Sequence, residues 1–155
     1  MKKILMLENM PYKASIRIGS HHYADFFSKY YKVLWISLPF HIFQLLNKNK
    51  ERYINWKNNK KSQKGNLIYY TPFSFIPYRN NTIFKHEFIL KNYYLFMPYL
   101  IRKIKSLNFD EVDILWFTDP RYFSLTKKIK YKKMFYRCVD DLESFEDIPK
   151  NIIYY

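Results

Sequence analysis

Two short stretches constrain the fold more than anything else in the chain. Residues 114–120 read Ile-Leu-Trp-Phe-Thr-Asp-Pro, and residues 136–145 read Tyr-Arg-Cys-Val-Asp-Asp-Leu-Glu-Ser-Phe. Each is a brief apolar run that stops abruptly at acids and leads into a helix start. A short apolar run bounded by polar residues is the pattern of a parallel strand covered on both faces. In open α/β sheets, ligands sit beyond the carboxyl ends of such strands, which puts Asp119, Asp140 and Asp141 at the working edge. The expectation is geometric. Strands closing at Phe117 and Val139 lie side by side, run the same way and release their carboxylates into one crevice.

The rest of the chain reads as a frame for that edge. Residues 3–7 form a first strand, and residues 8–19 a loop carrying Pro11, Arg17 and Gly19. Ser20 is the N-cap of a helix to about residue 30, with Tyr23, Phe26, Phe27 and Tyr30 at helical spacing. Residues 33–38 are a second strand, parallel to the first by right-handed crossover. The Lys/Asn-rich residues 48–64, with an isolated Trp56, read as an exposed helix or loop. Residues 67–71 are a third strand, and residues 72–79 an aromatic, proline-bracketed connection. Thr82 caps a helix to about residue 107 that Pro98 kinks or splits.

Residues 113–117 are the fourth strand. Pro120 then opens a helix to about residue 129, capped by Thr118 or Asp119. Residues 133–139 are the fifth strand, and Asp140 with Glu143 has capping-box spacing for one more helix. This alternation predicts an α/β, Rossmann-like fold in a single domain over residues 1–155. Its sheet is doubly wound and mostly parallel, with five or six strands and helices on both faces.

Composition sets the outer limits. A chain of 155 residues is one domain's worth, and 48% hydrophobic residues suffice for a core, which excludes a wholly disordered chain. The single cysteine, Cys138, excludes an internal disulfide and is expected inside a strand as a small buried hydrophobe. A net charge of +14 draws polyanions such as nucleic acid, anionic lipid or phosphorylated substrates. The same Lys-, Asn- and Tyr-rich profile with only two glycines also follows from AT-rich coding. No stretch resembles a secretory signal, and no apolar run reaches the ~18 residues of a membrane span. The expected location is cytoplasmic, with a peripheral position on the inner membrane face as its variant.

Each candidate residue carries two readings. Asp119 is a general base or hydroxyl ligand at a strand end, or else a helix cap whose backbone bonds lower its basicity. Asp140 and Asp141, if extended, point to opposite faces and do not share a proton as a dyad does. Arg137 in a covered strand must pair with Asp119, Asp140 or Glu143, or its strand must lie at the sheet edge. Arg17, with Ser15, Gly19 and Ser20, precedes a helix N-terminus that favours an anion, but without a G-x-G-x-x-G or Walker pattern. His21 and His22 diverge by roughly 100° on a helix, which suits substrate contact by one of them or ordinary helix positions. No metal is expected, because no Cys or carboxylate stands at ligand spacing from them. The aromatics read as core, with no RNP or helix-turn-helix signature for nucleic acid. Residues 88–105 are a helix covering the sheet, or a basic aromatic face resting on anionic lipid.

Taken together, these stretches resemble the amino-terminal domain of bacterial two-Rossmann-domain (GT-B) glycosyltransferases that build cell-surface polysaccharides. The matching features are Arg17 leading into a helix with His22 and Ala24, residues 33–39, Pro72 to Pro77, residues 114–120, and residues 136–141 with Phe145. The resemblance implies a domain that receives the acceptor and supplies a base or acid at the cleft, while a second domain binds the nucleotide sugar. It implies catalytic roles among Asp119, Asp140 and Asp141, and substrate contacts among Arg17, Ser20, His21, His22 and Arg137. No metal or resident cofactor is implied, and the nucleotide-sugar donor is expected only with the second domain. The partners implied are a saccharide or lipid-linked acceptor, an anionic membrane surface and a separate donor-binding domain, with no specific nucleic acid. One Rossmann-like domain alone should transfer little or no sugar. The rival reading is a non-enzymatic basic module for anionic membrane or nucleic acid. A receiver domain would want an acid pair after the first strand, where only Glu8 stands.

Overall fold

The strand β1 (Lys3–Glu8) runs through the middle of a six-stranded sheet, and every residue from Ile4 to Glu8 is buried. The computed structural model describes residues 1–41, 43–46, 50–59, 62–77 and 92–138. Thr82, Val139, Asp140, Asp141 and the helix expected at Asp140–Glu143 lie outside them. After β1 come α1 (Gly19–Phe27), β2 (Lys32–Ser37), β3 (Phe40–His41), α2 (Phe43–Leu46), α3 (Lys50–Lys57), β4 (Gln63–Lys64), β5 (Leu67–Tyr70) and β6 (Phe73–Ser74). A 3-10 turn (Tyr93–Phe96) leads to α4 (Leu100–Ser106) and β7 (Glu111–Phe117). A second 3-10 turn (Pro120–Tyr122) runs into α5 (Phe123–Thr126), and β8 (Lys130–Tyr136) follows.

The sheet order is β4-β5-β2-β1-β7-β8, with every pair parallel except β4–β5. β3 and β6 pair in a separate two-stranded ribbon. The chain is therefore α/β with a mostly parallel sheet. Strands β7 and β8 do lie side by side in the same direction, with Phe117 opposite Tyr136. Chain order changes direction at β1, because β2 and β5 build outward on one side while β7 and β8 build on the other.

Alternation along β1 splits the core in two. Leu5 and Leu7 join Leu34, Ile36, Leu115 and Phe117 against Leu100 and Ile104 of α4. Ile4 and Met6 join Val33, Trp35 and Leu67 against Ala24 of α1. A strand buried on both faces reads as a continuous apolar run, as Ile4–Leu7 does. Each buried aliphatic side chain contributes about 2 kcal/mol.

The expectations fail where strands meet solvent. β8 begins and ends three residues earlier than the run at 133–139 suggests, and all seven of its residues are exposed because it is the edge strand. Cys138 is consequently exposed beyond the strand end and not buried within it. On α1, Tyr23, Phe26 and Tyr30 are exposed, and Ser20, His21 and Ala24 form its buried side. The helix stops at Phe27, so Tyr30 lies beyond it. Trp56 is not isolated: it packs in α3 against Phe40, Tyr53 and Phe73. Of the helix expected to about residue 107, the described part is a 3-10 turn before Pro98 and α4 from Leu100, after Tyr99 turns with φ 70°. The helix after Pro120 is a 3-10 turn and one α turn, ending at Thr126.

Candidate functional site

Register aligns the carboxyl ends of the parallel strands. Glu8 is opposite Ser37, Leu7 is opposite Phe117, and Phe117 is opposite Tyr136. The residues that end the apolar runs, Thr71, Ser37, Glu8, Thr118 and Arg137, therefore stand in a row across the sheet. Backbone bonds continue the ladder there: Thr118 N–H donates to Leu7 O at 3.1 Å, and Arg137 N–H to Phe117 O at 2.9 Å. Ser37 and Thr71 hydroxyls hydrogen-bond at 2.8 Å.

Glu8 is the chemical centre of the row. Its side chain falls on the α1 side of the sheet, following Ile4 and Met6 by alternation. It is fully buried, and its Oε2 accepts from Thr118 Oγ1 at 2.7 Å. Its Oε1 and the Trp116 indole N–H are both buried, and neither has a hydrogen-bond partner among the described residues. Burial pushes the Glu8 carboxyl up to about 7. The nearby Thr118, Ser20, Arg137 and Trp116 groups pull only partly the other way. A carboxyl poised near neutral pH is the kind that takes and returns protons.

Arg137 closes the row. It stands just past the edge strand, donates from Nη1 to Ser20 Oγ at 3.1 Å, and lies over the Tyr23 ring at 5.4 Å. The edge position expected as one way out for Arg137 is present, since β8 is the edge strand. Among the described residues the Glu8 carboxylate bears on it, while Asp140 and Glu143 lie outside them. Gly19 makes room for the guanidinium, since a Cβ there would meet Arg137 Nη2 at 3.0 Å. Ser20 is in the first turn of α1, with Ile18 as the N-cap in its place.

The loop from β1 to α1 is pinned over the sheet. Trp35 Nε1 donates to Met10 O at 3.0 Å, and the Tyr12, His21 and Trp35 rings pack together. Both ring nitrogens of His21 are spent: Nδ1 accepts from Ile18 N–H at 3.1 Å, which leaves Nε2 to donate to Pro11 O at 3.1 Å. That pattern fixes the neutral ring, and burial lowers its pKa further. His22 points to solvent, so the two histidines diverge as their helical spacing requires. Arg17 pairs with Asp25 and lies over the Tyr12 ring, away from any contact with Glu8 among the described residues.

Asp119 is a helix cap held by its neighbour. Its Oδ1 accepts from Arg121 N–H at 3.0 Å and Nε at 2.7 Å, and its Oδ2 from Nη2 at 2.5 Å. A cleft of about 700 Å³ lies between the β1–α1 loop and α3, lined by Lys13, Ser15, Glu51, Asn55, Asn58 and Tyr69. Glu51 Oε1 accepts from Ser15 N–H at 2.7 Å and ties its two sides together.

Sequence reasoning named Ser20 and Arg137 separately, without pairing them, and did not include Glu8, which the structure places beside both. The available signal was that Glu8 closes the first apolar run as Asp119 closes the fourth. No group of three His, Cys, Asp or Glu among the described residues could hold a metal, and none of their helices is long and apolar enough to cross a membrane. The fold and site define an α/β domain with a polar strand-end row centred on one buried carboxyl. No family model matches the chain, and no curated protein or solved structure matches it.

Proposed function

We propose that this chain is a Rossmann-like, doubly wound, acceptor-side domain of a two-domain glycosyltransferase for surface polysaccharide, working on the cytoplasmic face of a membrane. The observation that carries the reading is the buried Glu8 carboxyl at the strand end where chain order reverses. That is the position where open α/β sheets hold ligands. A carboxyl shifted up to about 7 suits removal of a proton from an acceptor hydroxyl. The unpartnered Glu8 Oε1 and Trp116 N–H match one hydroxyl, which can donate to the first and accept from the second.

Glu8 takes the proton-transfer role in this reading, because Arg121 occupies both oxygens of Asp119. Ser20 and Arg137, hydrogen-bonded to each other beside Glu8, are the groups placed to contact the acceptor in this reading. The cleft at Asn55 and Asn58 offers amides and hydroxyls to the rest of a saccharide, beside Tyr69 of β5. β5 stands two strands from β1, about 10 Å at the usual strand spacing. Donor binding belongs to a second domain.

A rival reading draws on β8, whose exposed Lys130, Lys132 and Lys133 stand among the exposed Tyr131 and Phe135. That strand fits an anionic membrane surface or nucleic acid without any catalysis. The discriminating experiment is saturation-transfer NMR of the chain with a panel of saccharides, repeated on Glu8→Gln and Arg137→Ala. Saccharide binding that both substitutions weaken supports the acceptor role. Binding to any polyanion, steeply salt-dependent and with no sugar preference, replaces it with the rival.

A further inference from the structure

The end of the sheet away from Glu8 carries a second cavity, of about 280 Å³. Its apolar lining is Ile4, Ile114 and Tyr31, and its polar lining is Lys2, Lys132, Lys133 and Asp113. The fold makes this hollow. Ile4, Ile114 and Lys133 stand opposite one another across β1, β7 and β8, so their side chains share one face of the sheet. That is the face of α1, since Ile4 packs with Ala24. Helix α1 sends Tyr23 and Phe27 against Trp116 of β7 and ends at Phe27. Ile114, two residues nearer the amino end of β7, is left half-buried beside Tyr31.

The polar side of the cavity is charged and unbalanced. Asp113, its one lining acid among the described residues, has both oxygens taken. Its Oδ1 accepts from Lys132 Nζ at 2.7 Å, and its Oδ2 from the Lys3 backbone N–H at 2.9 Å. These bonds, that of Lys132 first, hold the Asp113 carboxyl below the usual range, so it stays ionised as their partner. Glu111 bears on Lys132 more weakly than Asp113 does. The Lys2 and Lys133 ammonium groups make no hydrogen bond or ion pair among the described residues, although Lys2 still feels the Asp113 charge. Two such ammonium groups beside an apolar wall suit an anion with more than one charge and an apolar body. Lysine serves phosphate as a point charge, without needing the fork that arginine supplies. The volume, just under the ~300–1,000 Å³ of drug-sized sites, limits the body to about one ring.

We propose that the cavity toward the amino ends of β1, β7 and β8 binds a phosphate monoester of a small phenol or alcohol, its phosphate on Lys2 and Lys133 and its apolar body against Ile4, Ile114 and Tyr31. The site shares no residue with the Glu8 cluster and stands whether or not the chain takes part in sugar transfer.

The test is ligand-observed NMR titration with phenyl phosphate at pH 8, where a phosphate monoester carries close to two charges. Inorganic phosphate, which lacks the apolar body, and benzoate, which lacks the second charge, are the comparison probes. Wild type is set against Lys133→Gln, the Lys2→Gln/Lys133→Gln double variant, and Lys105→Gln, an exposed control on α4 across the sheet. Phenyl phosphate should bind at least about fivefold more tightly than either comparison probe. Lys133→Gln should weaken it about three- to fivefold and the double variant about tenfold or more, the scale for exposed charged partners, while Lys105→Gln stays within about twofold. Absence of phenyl phosphate binding by wild type overturns the site. So does equal binding of benzoate or inorganic phosphate, or an equal loss in Lys105→Gln and Lys133→Gln.

Discussion

Thr118 Oγ1 donates to Glu8 Oε2 at 2.7 Å, joining the end of β7 to the end of β1 through a buried hydroxyl and a buried carboxyl. Thr118→Val keeps the shape and removes the donor. The variant should lose about 1–3 kcal/mol in denaturant unfolding, the scale for a buried polar group left without its partner. It should also raise the Glu8 pKa further, since Thr118 holds it down.

Glu8 also writes a signature into stability against pH. Its folded pKa of about 7 lies above its ordinary 4.5, so the fold favours the protonated form. That contribution is complete below 4.5 and is lost as pH rises through 7. Glu8→Gln cannot ionise and should gain on wild type between pH 4 and pH 8, by up to roughly 3 kcal/mol at ~1.4 kcal/mol per pKa unit. Unfolding curves at several pH values check this, and parallel stabilities for the two proteins would exclude the shift.

Asp119 should behave as structure. Asp119→Asn breaks the two-pronged ion pair with Arg121 and should cost up to about 3–5 kcal/mol, the scale for breaking a buried ion pair. Saccharide binding should survive at temperatures where the variant is folded. Loss of saccharide binding with stability intact would return Asp119 to the site.

These three tests bear on what could be read in advance. The direction and adjacency of β7 and β8 were legible, because apolar runs of strand length ending in acids are a tertiary signal written locally. The edge position of β8 was not, because an edge strand and a central one can share a sequence such as Lys-Met-Phe-Tyr. Glu8 passed as a strand terminator because the groups that surround it, Ser20, Trp116, Thr118 and Arg137, are distant in the chain. The two-residue strands β3, β4 and β6 carry too few residues for any periodicity.

Tyr99 offers a test away from the site. It is 68% exposed and holds φ 70° directly before α4, a left-handed conformation that costs a side-chain-bearing residue about 1 kcal/mol. Tyr99→Gly should stabilise the chain by about 0.5–1 kcal/mol in chemical denaturation. Tyr99→Ala keeps the strained backbone and should gain nothing, and equal effects of the two would point to the ring instead.

The carboxyl of Glu8 is where the whole account can be measured at one atom. Carbon-13 NMR of that carboxyl, followed across pH without and with a bound saccharide, should give a midpoint near 7 in the free chain and a shifted midpoint when the saccharide binds. A midpoint near 4.5 that no saccharide moves would contradict both the buried carboxyl and the acceptor role built on it.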